Sequence, residues 1–349
     1  MSSSSGGRVV AGLCAVVGAV ALVSGCGGAS AGGDATTAGA GSITVYSGQH
    51  EQTMSRLVAD FERRTGVHVD LRSNDEASLA NQILREGSAS PADVFVAENP
   101  PALTVLEQQG LLAPVASATL AKVPTRFNAP RGDWVALSAR SAVLAYATKQ
   151  VKASQLPASL LDLAGPAWKG RVGFAPTETD FQPLITAVSI LDGKAAALRW
   201  LQGLKDNAKV YDDNEALIAA VNRGEVATGL VDHYYWYRLR DEVGASKTVS
   251  ALHYFGGGDP GALVDVSGAA VLKSSAHAAD AQRFLAYLVS RPAQEIVATS
   301  ESYEYPLGSG VTTRRPLKPF SQLQPPQLTV EQLGDGRDAL QDLQQVGLL

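Results

Sequence analysis

The sequence is poor in cysteine, in clustered positive charge and in long apolar runs. It contains 2 cysteines among 349 residues, its formal net charge is -5 at pH 7, and it has no sustained run of lysine and arginine. Nucleic-acid-binding proteins usually carry a basic surface, so this charge pattern argues against such a role. The remaining composition, with 45% hydrophobic and 18% charged residues, is typical of a folded globular protein.

The N-terminal segment has the features of a bacterial lipoprotein signal peptide. Arg8 precedes an apolar run over residues 9–23, and the sequence VSGC that ends at Cys26 resembles a lipobox. We therefore predict a signal peptide over residues 1–26 with a lipidated Cys26. The Ala/Gly/Ser/Thr-rich residues 27–41 would form a flexible tether that holds a folded domain outside the cytoplasmic membrane. A plain secretory signal or a short membrane anchor is the alternative, although a membrane span needs about 20 apolar residues.

The two cysteines exclude a disulfide framework in the mature protein. Cys14 would be removed with the signal peptide, and Cys26 would carry the lipid, which leaves no pair to oxidise. The stability of the folded part must therefore come from packing.

From residue 42 onward, short apolar strands alternate with amphipathic helices. This alternation predicts an α/β fold with a largely parallel sheet covered by helices on both faces. Because 349 residues are many for a single core, we expect two lobes with a ligand cleft between them, joined by extended hinge crossovers. The expected N-terminal lobe comprises residues 42–139 and 266–315, and the expected C-terminal lobe comprises residues 140–265 and 316–349.

Three local predictions concern the second half of the pattern. Trp134–Ser138 and Ala142–Ala147 are predicted as two separate strands. Asn214 is predicted as the N-cap of a helix, because its side chain can accept a backbone hydrogen bond. The terminal segment from about Val330 to Val346 is predicted as one helix.

Polar and aromatic side chains follow three of the predicted strands. His50 comes just after the first strand, Glu98 just after the third, and Tyr234 and Tyr235 open a helix directly after a strand of the second half. Ligands of parallel α/β sheets bind beyond the carboxyl ends of the strands. These four side chains are therefore expected to face one cleft.

Each of these side chains has a plainer explanation when taken alone. A histidine after a strand is commonly a surface or capping group, and a glutamate is commonly solvated. Aromatic rings that open a helix are commonly part of the core, which is the role we expect for Trp236 and Tyr237. Only the joint placement of the four side chains favours a binding site.

Six stretches of the chain occur in a familiar order and spacing: ITVYSGQH, SPADVFVAEN, DWVALSARS, HYYWY, DPGALVDVSGAAVLKSS and EYPL. Together they resemble the bacterial periplasmic ferric-iron-binding proteins, the transferrin-like receptors of iron ABC transporters. The resemblance implies the two-lobed type II periplasmic-binding-protein fold, capture of Fe(III) without catalysis, delivery to a permease, and a monomer. It also implies four iron ligands, which by position are His50, Glu98, Tyr234 and Tyr235.

The chemistry of these side chains suits ferric iron. Fe(III) is a hard cation that prefers charged oxygen ligands. A free tyrosine has a pKa of about 10, so the metal must displace the phenol proton, and binding should weaken in acid. Two phenolates and one carboxylate would balance the three positive charges of the ion while His50 stays neutral.

The resemblance fails at the turn that holds a synergistic anion in many members. That turn is Ser-Gly-Ala-like and lies at a helix N-terminus, whereas this chain has PTETDF over residues 176–181 and Asp232 where an asparagine would stand. We hypothesise that the protein depends little on a free anion, with water, Glu178 or Asp180 in its place. In the plainer alternative, these acids only complement the helix dipole. The residues expected to bind an anion or support the ligands are Asn99, Arg140, Thr177, Glu178, Thr179, Asp180, Asn214 and Asp232.

Two other functions fit parts of the sequence. A receptor of the same fold could stack the tyrosines on an organic cation such as thiamine or a polyamine. An exported hydrolase could use His50 and Glu98 as acid and base, although the H-E-x-x-H spacing of zinc proteases is absent. The first predicts binding without metal, and the second predicts turnover that is lost in His50→Ala.

Overall fold

The computed structural model describes residues 41–349. The predicted signal peptide with Cys26, and residues 27–40 of the predicted tether, lie outside the described residues. None of the helices within the described range is long and apolar enough to cross a membrane.

The described part of the chain alternates strands and helices, as the periodicity predicts. The strands are β1 Ser42–Ser47, β2 His68–Ser73, β3 Val94–Ala97, β4 Leu112–Ala113, β5 Val135–Ala147, β6 Val172–Phe174, β7 Lys209–Val210, β8 Thr228–Asp232, β9 Ser250–His253, β10 Val264–Leu272 and β11 Tyr305–Pro306. The helices are α1 Glu51–Thr65, α2 Glu76–Glu86, α3 Pro100–Gln108, α4 Ser117–Leu120, α5 Phe181–Asp192, α6 Lys194–Asn207, α7 Asn214–Arg223, α8 His233–Val243, α9 Ala278–Leu288, α10 Arg291–Thr299, α11 Val330–Leu333 and α12 Arg337–Val346.

The strands join into one 11-stranded sheet with the order β2-β1-β3-β10-β5-β8-β6-β7. The pairs β1–β2, β1–β3, β6–β7 and β6–β8 are parallel, whereas β10 and β5 run antiparallel to their neighbours. Parallel strands need crossover helices, which explains why helices separate β1, β2 and β3 along the chain. The sheet therefore has two parallel α/β halves joined through antiparallel strands.

Strand β5 joins these two halves. Its first part pairs with β10 and β11 as far as Ser141, and its second part pairs with β8 and β9 from Ala142 onward. The prediction of two strands here is wrong, because the 13-residue strand contains no glycine or proline and both of its parts are held in ladders.

Two other predicted boundaries are also wrong. The N-cap of α7 is Asp213, which has extended backbone and accepts a hydrogen bond from the Ala216 N–H at 2.6 Å, while Asn214 is already helical. The terminal helix is divided into α11 and α12, because Gly334 and Gly336 adopt left-handed φ values of 66° and 75° between them.

Two apolar cores pack against the sheet. The first core includes Phe61, Phe95, Trp134 and Phe284, and the second includes Phe174, Phe181, Trp200 and Leu343. All eight side chains are buried. The carboxyl ends of β1, β3 and β8 are thus held on packed elements.

Candidate metal centre

His50 and Glu98 lie side by side because their strands are parallel neighbours. Strands β1 and β3 pair in register over Val45–Ser47, and His50 and Glu98 follow their carboxyl ends. His50 occupies the N-cap position of α1 but makes no side-chain capping hydrogen bond, so its ring is free to face the cleft. The His50 Nε2 and Glu98 Oε1 atoms are 3.6 Å apart.

The tyrosine pair reaches the same point from the other half of the sheet. Strand β8 ends at Asp232, and α8 begins at His233, so Tyr234 and Tyr235 lie in the first turn of the helix. The Tyr234 hydroxyl donates a 2.8 Å hydrogen bond to Glu98 Oε1. The ring centroids of Tyr234 and Tyr235 are 4.3 Å apart, and those of Tyr234 and His50 are 5.0 Å apart. The structure therefore brings all four predicted ligands together.

The donor atoms suit a hard cation. His50 Nε2 is buried and has no hydrogen-bond partner, which is costly unless something binds it. Burial alone would raise the pKa of Glu98, but the electrostatic interactions with His50 and Arg140 outweigh it and hold the pKa below its ordinary value. Glu98 is therefore an anionic ligand at neutral pH, next to an unpaired imidazole nitrogen.

Comparison with known proteins places the chain in a family. The profile of the bacterial extracellular solute-binding proteins matches residues 43–300. The chain is 38% identical to the Fe(3+)-binding periplasmic protein of Serratia marcescens, over 88% of this chain and 90% of that protein. It is 40% identical to the major ferric iron-binding protein of Neisseria meningitidis serogroup B, over 90% of this chain and 95% of that protein.

The chain belongs to the ferric-iron-binding family of bacterial extracellular solute-binding proteins. Solved structures agree. The crystal structure of iron-bound HitA from Pseudomonas aeruginosa has a TM-score of 0.84 with 43% identity, over 88% of this chain and 99% of that one. The Trichodesmium protein in complex with iron and citrate ligands has a TM-score of 0.79 with 31% identity, over 88% and 99% of the two chains. The two-lobed type II fold is thereby confirmed, and the family consists of binding proteins and not enzymes.

In this family member, Asn99 connects the two sides of the cleft. Its backbone N–H and its side-chain amide donate to the buried carboxylate of Glu76 at 2.8 and 2.7 Å. The same side-chain amide donates to Thr179 Oγ1 at 3.2 Å, and its carbonyl oxygen accepts from Arg140. The prediction grouped Asn99, Arg140 and Thr179 around the ligands but did not include Glu76.

Arg140 is fully buried and surrounded by carboxylates. Its guanidinium lies 3.4 Å from Asp232, 3.6 Å from Asp265 and 3.8 Å from Glu304. Although burial alone would lower it, these charges raise the pKa of Arg140 above its ordinary value. The positive charge of Arg140 is thus already matched by protein carboxylates and is not available to a free anion.

The turn before α5 is acidic, as the sequence predicts. Asp180 accepts two hydrogen bonds from the Asn214 side chain, at 2.9 and 3.2 Å. Burial and then the charge of Asp232 raise the pKa of Asp180, while burial and then Glu215 raise the pKa of Glu178 to about 7. The exposed Thr177 instead donates to the Asp212 carbonyl oxygen at 3.3 Å.

Glu304 is the principal residue that the prediction missed. Within residues 41–349, the group of His, Cys, Asp and Glu side chains whose donor atoms lie within 4.8 Å of one another consists of His50, Glu98 and Glu304. Asp180 and Glu178 are not members of that group. Glu304 belongs to the stretch EYPL, which contributed to the family resemblance, but it lies outside any predicted strand end and so carried no sign of a ligand.

Proposed function

We propose that this protein captures ferric iron outside the cytoplasm and delivers it to the permease of an ABC transporter. The observation that carries the proposal is the convergence of the unpartnered His50 nitrogen, the Glu98 carboxylate and the Tyr234 phenol from the two halves of the sheet. The names of the relatives as ferric-iron-binding proteins support it. The proposal includes a monomeric protein held at the membrane through a lipidated Cys26 and the tether.

The proposed iron ligands are His50, Glu98, Tyr234 and Tyr235. Burial and neighbouring carboxylates raise the pKa of both phenols well above the ordinary value, so they are neutral in the metal-free protein. Fe(III) must therefore displace two protons as it binds, and the resulting phenolates are the strongest charged donors at the site. Acid would favour release.

A single ion bound in this way holds the cleft closed. His50 and Glu98 follow strands of one half of the sheet, and the tyrosines follow β8 of the other half. An ion that contacts both halves binds the closed arrangement better than the open one and shifts the population toward it. In this proposal the lobes are residues 42–139 with 266–315 and residues 140–265 with 316–349.

We further propose that iron binding depends little on a free synergistic anion. Glu178, Asp180 and Asp232 surround the position where the family resemblance places such an anion, and Arg140 is already paired. These carboxyl groups stand in place of the hydroxyl and amide donors of an anion-binding turn, and in their ionised form they would repel phosphate or carbonate. Water or a protein carboxylate would complete the coordination.

The test is a visible absorption titration of the metal-stripped protein with ferric citrate. Phenolate bound to Fe(III) should produce a charge-transfer band that saturates at one iron per protein. The retained iron should resist EDTA equally well with and without added phosphate. A band whose resistance to EDTA rises sharply with phosphate would leave iron capture intact and contradict the anion-independent site.

The absence of any band from correctly folded protein would contradict iron capture itself. The function would then be that of a two-lobed receptor whose aromatic side chains bind an organic cation, and thiamine and polyamines would be the first compounds to titrate.

A further inference from the structure

The Glu304 carboxylate lies at the proposed metal centre although the four expected ligands do not include it. Strand β11 pairs with β5, with Tyr305 opposite Ala139, and this pairing places Glu304 directly before the strand. Glu304 is 1% exposed, and its donor atom lies within 4.8 Å of those of His50 and Glu98. Three potential metal donors from three separate segments therefore meet at one point.

The hydrogen bonding of Glu304 leaves its carboxylate available to a cation. The hydrogen bond that Oε1 accepts from Gln49 Nε2 is long, at 3.4 Å. The nearest guanidinium atom, Arg140 Nη1, is 3.8 Å away, beyond hydrogen-bonding distance, and has no hydrogen-bond partner of its own. Buried carboxylates are normally held by several short hydrogen bonds. The unpartnered His50 Nε2 lies beside this weakly held carboxylate, so one ion could bind both groups.

The segment that carries Glu304 is hydrogen-bonded to and packed against α8, the helix that carries Tyr234 and Tyr235. The buried His233 accepts from the Ser141 N–H at 3.1 Å through Nδ1 and therefore donates through Nε2 to the Tyr303 carbonyl oxygen at 2.8 Å. The Tyr303 ring stacks on Tyr237 with a centroid distance of 5.2 Å, and the Tyr305 ring stacks on His233 at 5.0 Å.

The backbone next to Glu304 is also unusual. Tyr303 has a φ of 57°, a conformation that non-glycine residues adopt rarely and mostly where the surrounding structure requires it. The contacts that the Tyr303 carbonyl group and ring make with α8 hold the residue in this conformation. The position of Glu304 is therefore fixed relative to Tyr234 and Tyr235.

We propose that Glu304 is a fifth protein ligand of the ferric ion, in the role that a free anion has in other iron-binding sites. This inference rests on the proposed function. Two phenolates and two carboxylates carry four negative charges against the three positive charges of Fe(III). The guanidinium of Arg140, whose Nη1 lies 3.8 Å from Glu304, is the nearby positive charge that reduces this excess. The protein itself thus provides the anionic oxygen, and Glu304 provides it instead of Glu178 or Asp180.

The test compares Glu304→Gln with Asp265→Asn. Glutamine keeps the size of Glu304 but removes the anionic oxygen. Asp265 is also buried and also lies beside Arg140, at 3.6 Å, but it is outside the group of donor atoms. Each protein is loaded by air oxidation of ferrous sulfate in buffer free of phosphate and carbonate, and the loss of iron to EDTA is then measured with and without added phosphate.

We expect Glu304→Gln to lower iron affinity by at least about 10- to 100-fold, the range found when a group that supports a metal site is removed. Phosphate should restore most of this loss, and the phenolate band should shift. Asp265→Asn should keep the wild-type band and show no phosphate dependence. If Glu304→Gln behaves like Asp265→Asn, Glu304 is not a ligand, while the wild-type band would still establish iron capture.

Circular dichroism would detect a folding defect in Glu304→Gln. A second variant tests the inference independently of such a defect. Glu304→Asp keeps the charge but withdraws the carboxylate by one methylene, and it should show the same loss with rescue by phosphate. Wild-type affinity in Glu304→Asp would overturn the inference. Absence of the band from wild-type protein would instead contradict the proposed function.

Discussion

Replacing Tyr234 by phenylalanine is expected to lower the affinity for ferric iron by more than about 100-fold, above the range for supporting groups, because a charged ligand is lost. The substitution also removes the 2.8 Å hydrogen bond that holds Glu98 Oε1. Tyr235 remains as one phenolate donor, so the visible band should weaken and shift without disappearing. Tyr234 is 1% exposed, and because phenylalanine retains the aromatic ring, the packing around this buried position is preserved.

The matched control for this experiment is Tyr237→Phe. Tyr237 lies one turn along the same helix, is also buried, and keeps its stacked contact with Tyr303 when only the hydroxyl is removed. Its iron affinity and its band should equal those of the wild type. Equal affinities for Tyr234→Phe and wild type would show that the tyrosine pair does not bind the metal and would favour an organic ligand.

The stability of the iron-free protein is expected to increase as the pH falls from about 8 to about 5.5. Burial raises the pKa of Glu76 to about 7, of Asp232 to about 7 and of Asp265 to about 6. These groups bind protons more tightly in the folded chain than in the unfolded chain. Their stabilising effect is therefore complete below the unfolded pKa of about 4 and is lost as the pH rises through 6 to 7.

One buried histidine acts in the opposite direction. Burial lowers the pKa of His233 to about 4, so the unfolded chain takes up the proton first as the pH falls below about 6.5. Glu178, with a pKa of about 7, acts in the same direction as these three carboxyl groups, and together they outweigh the one imidazole, so the free energy of unfolding increases. Urea denaturation of iron-free protein across this pH range measures it.

The iron-loaded protein is the control for this pH dependence. Bound Fe(III) favours the charged carboxylates and phenolates, so loaded protein should lose stability over the same acid range in which iron-free protein gains it. If the free energy of unfolding decreases in both forms as the pH is lowered, the buried acids are not protonated on folding.

The sequence was sufficient to locate the cleft because the relevant residues stand at strand ends. His50, Glu98 and Tyr234 each follow a strand with clear apolar periodicity. Parallel pairing of β1 and β3 brings His50 and Glu98 to one edge, and β8, which pairs antiparallel with β5 in the other half, brings Tyr234 to them from the opposite side. The core role expected for Tyr237 is confirmed, since Tyr237 is buried and stacks on Tyr303, whereas Trp236 is only partly buried and donates through Nε1 to Ser250 Oγ at 3.1 Å.

Glu304 could not be located by the same argument. Strand β11 has only two residues, which is too short for periodicity, and its position depends on a backbone conformation that sequence patterns do not indicate. Glu76 was missed for a related reason, since a glutamate in the first helical turn normally complements the dipole at the surface. Long-range contacts, rather than local pattern, decide the roles of both residues.

Strand β5 also limits how the cleft can open. Its backbone passes from one ladder to the other between Ser141 and Ala142 without an intervening loop, and both neighbouring residues are hydrogen-bonded in the sheet. Such a connection resists sliding of one half past the other but permits them to twist, so β5 would act as an elastic hinge centred on this peptide. The backbone of Arg140 immediately precedes Ser141 of that peptide in β5, so a rotation of the halves about it displaces this residue little. The counter-charge of the metal centre would therefore stay in place throughout the cycle of capture and release.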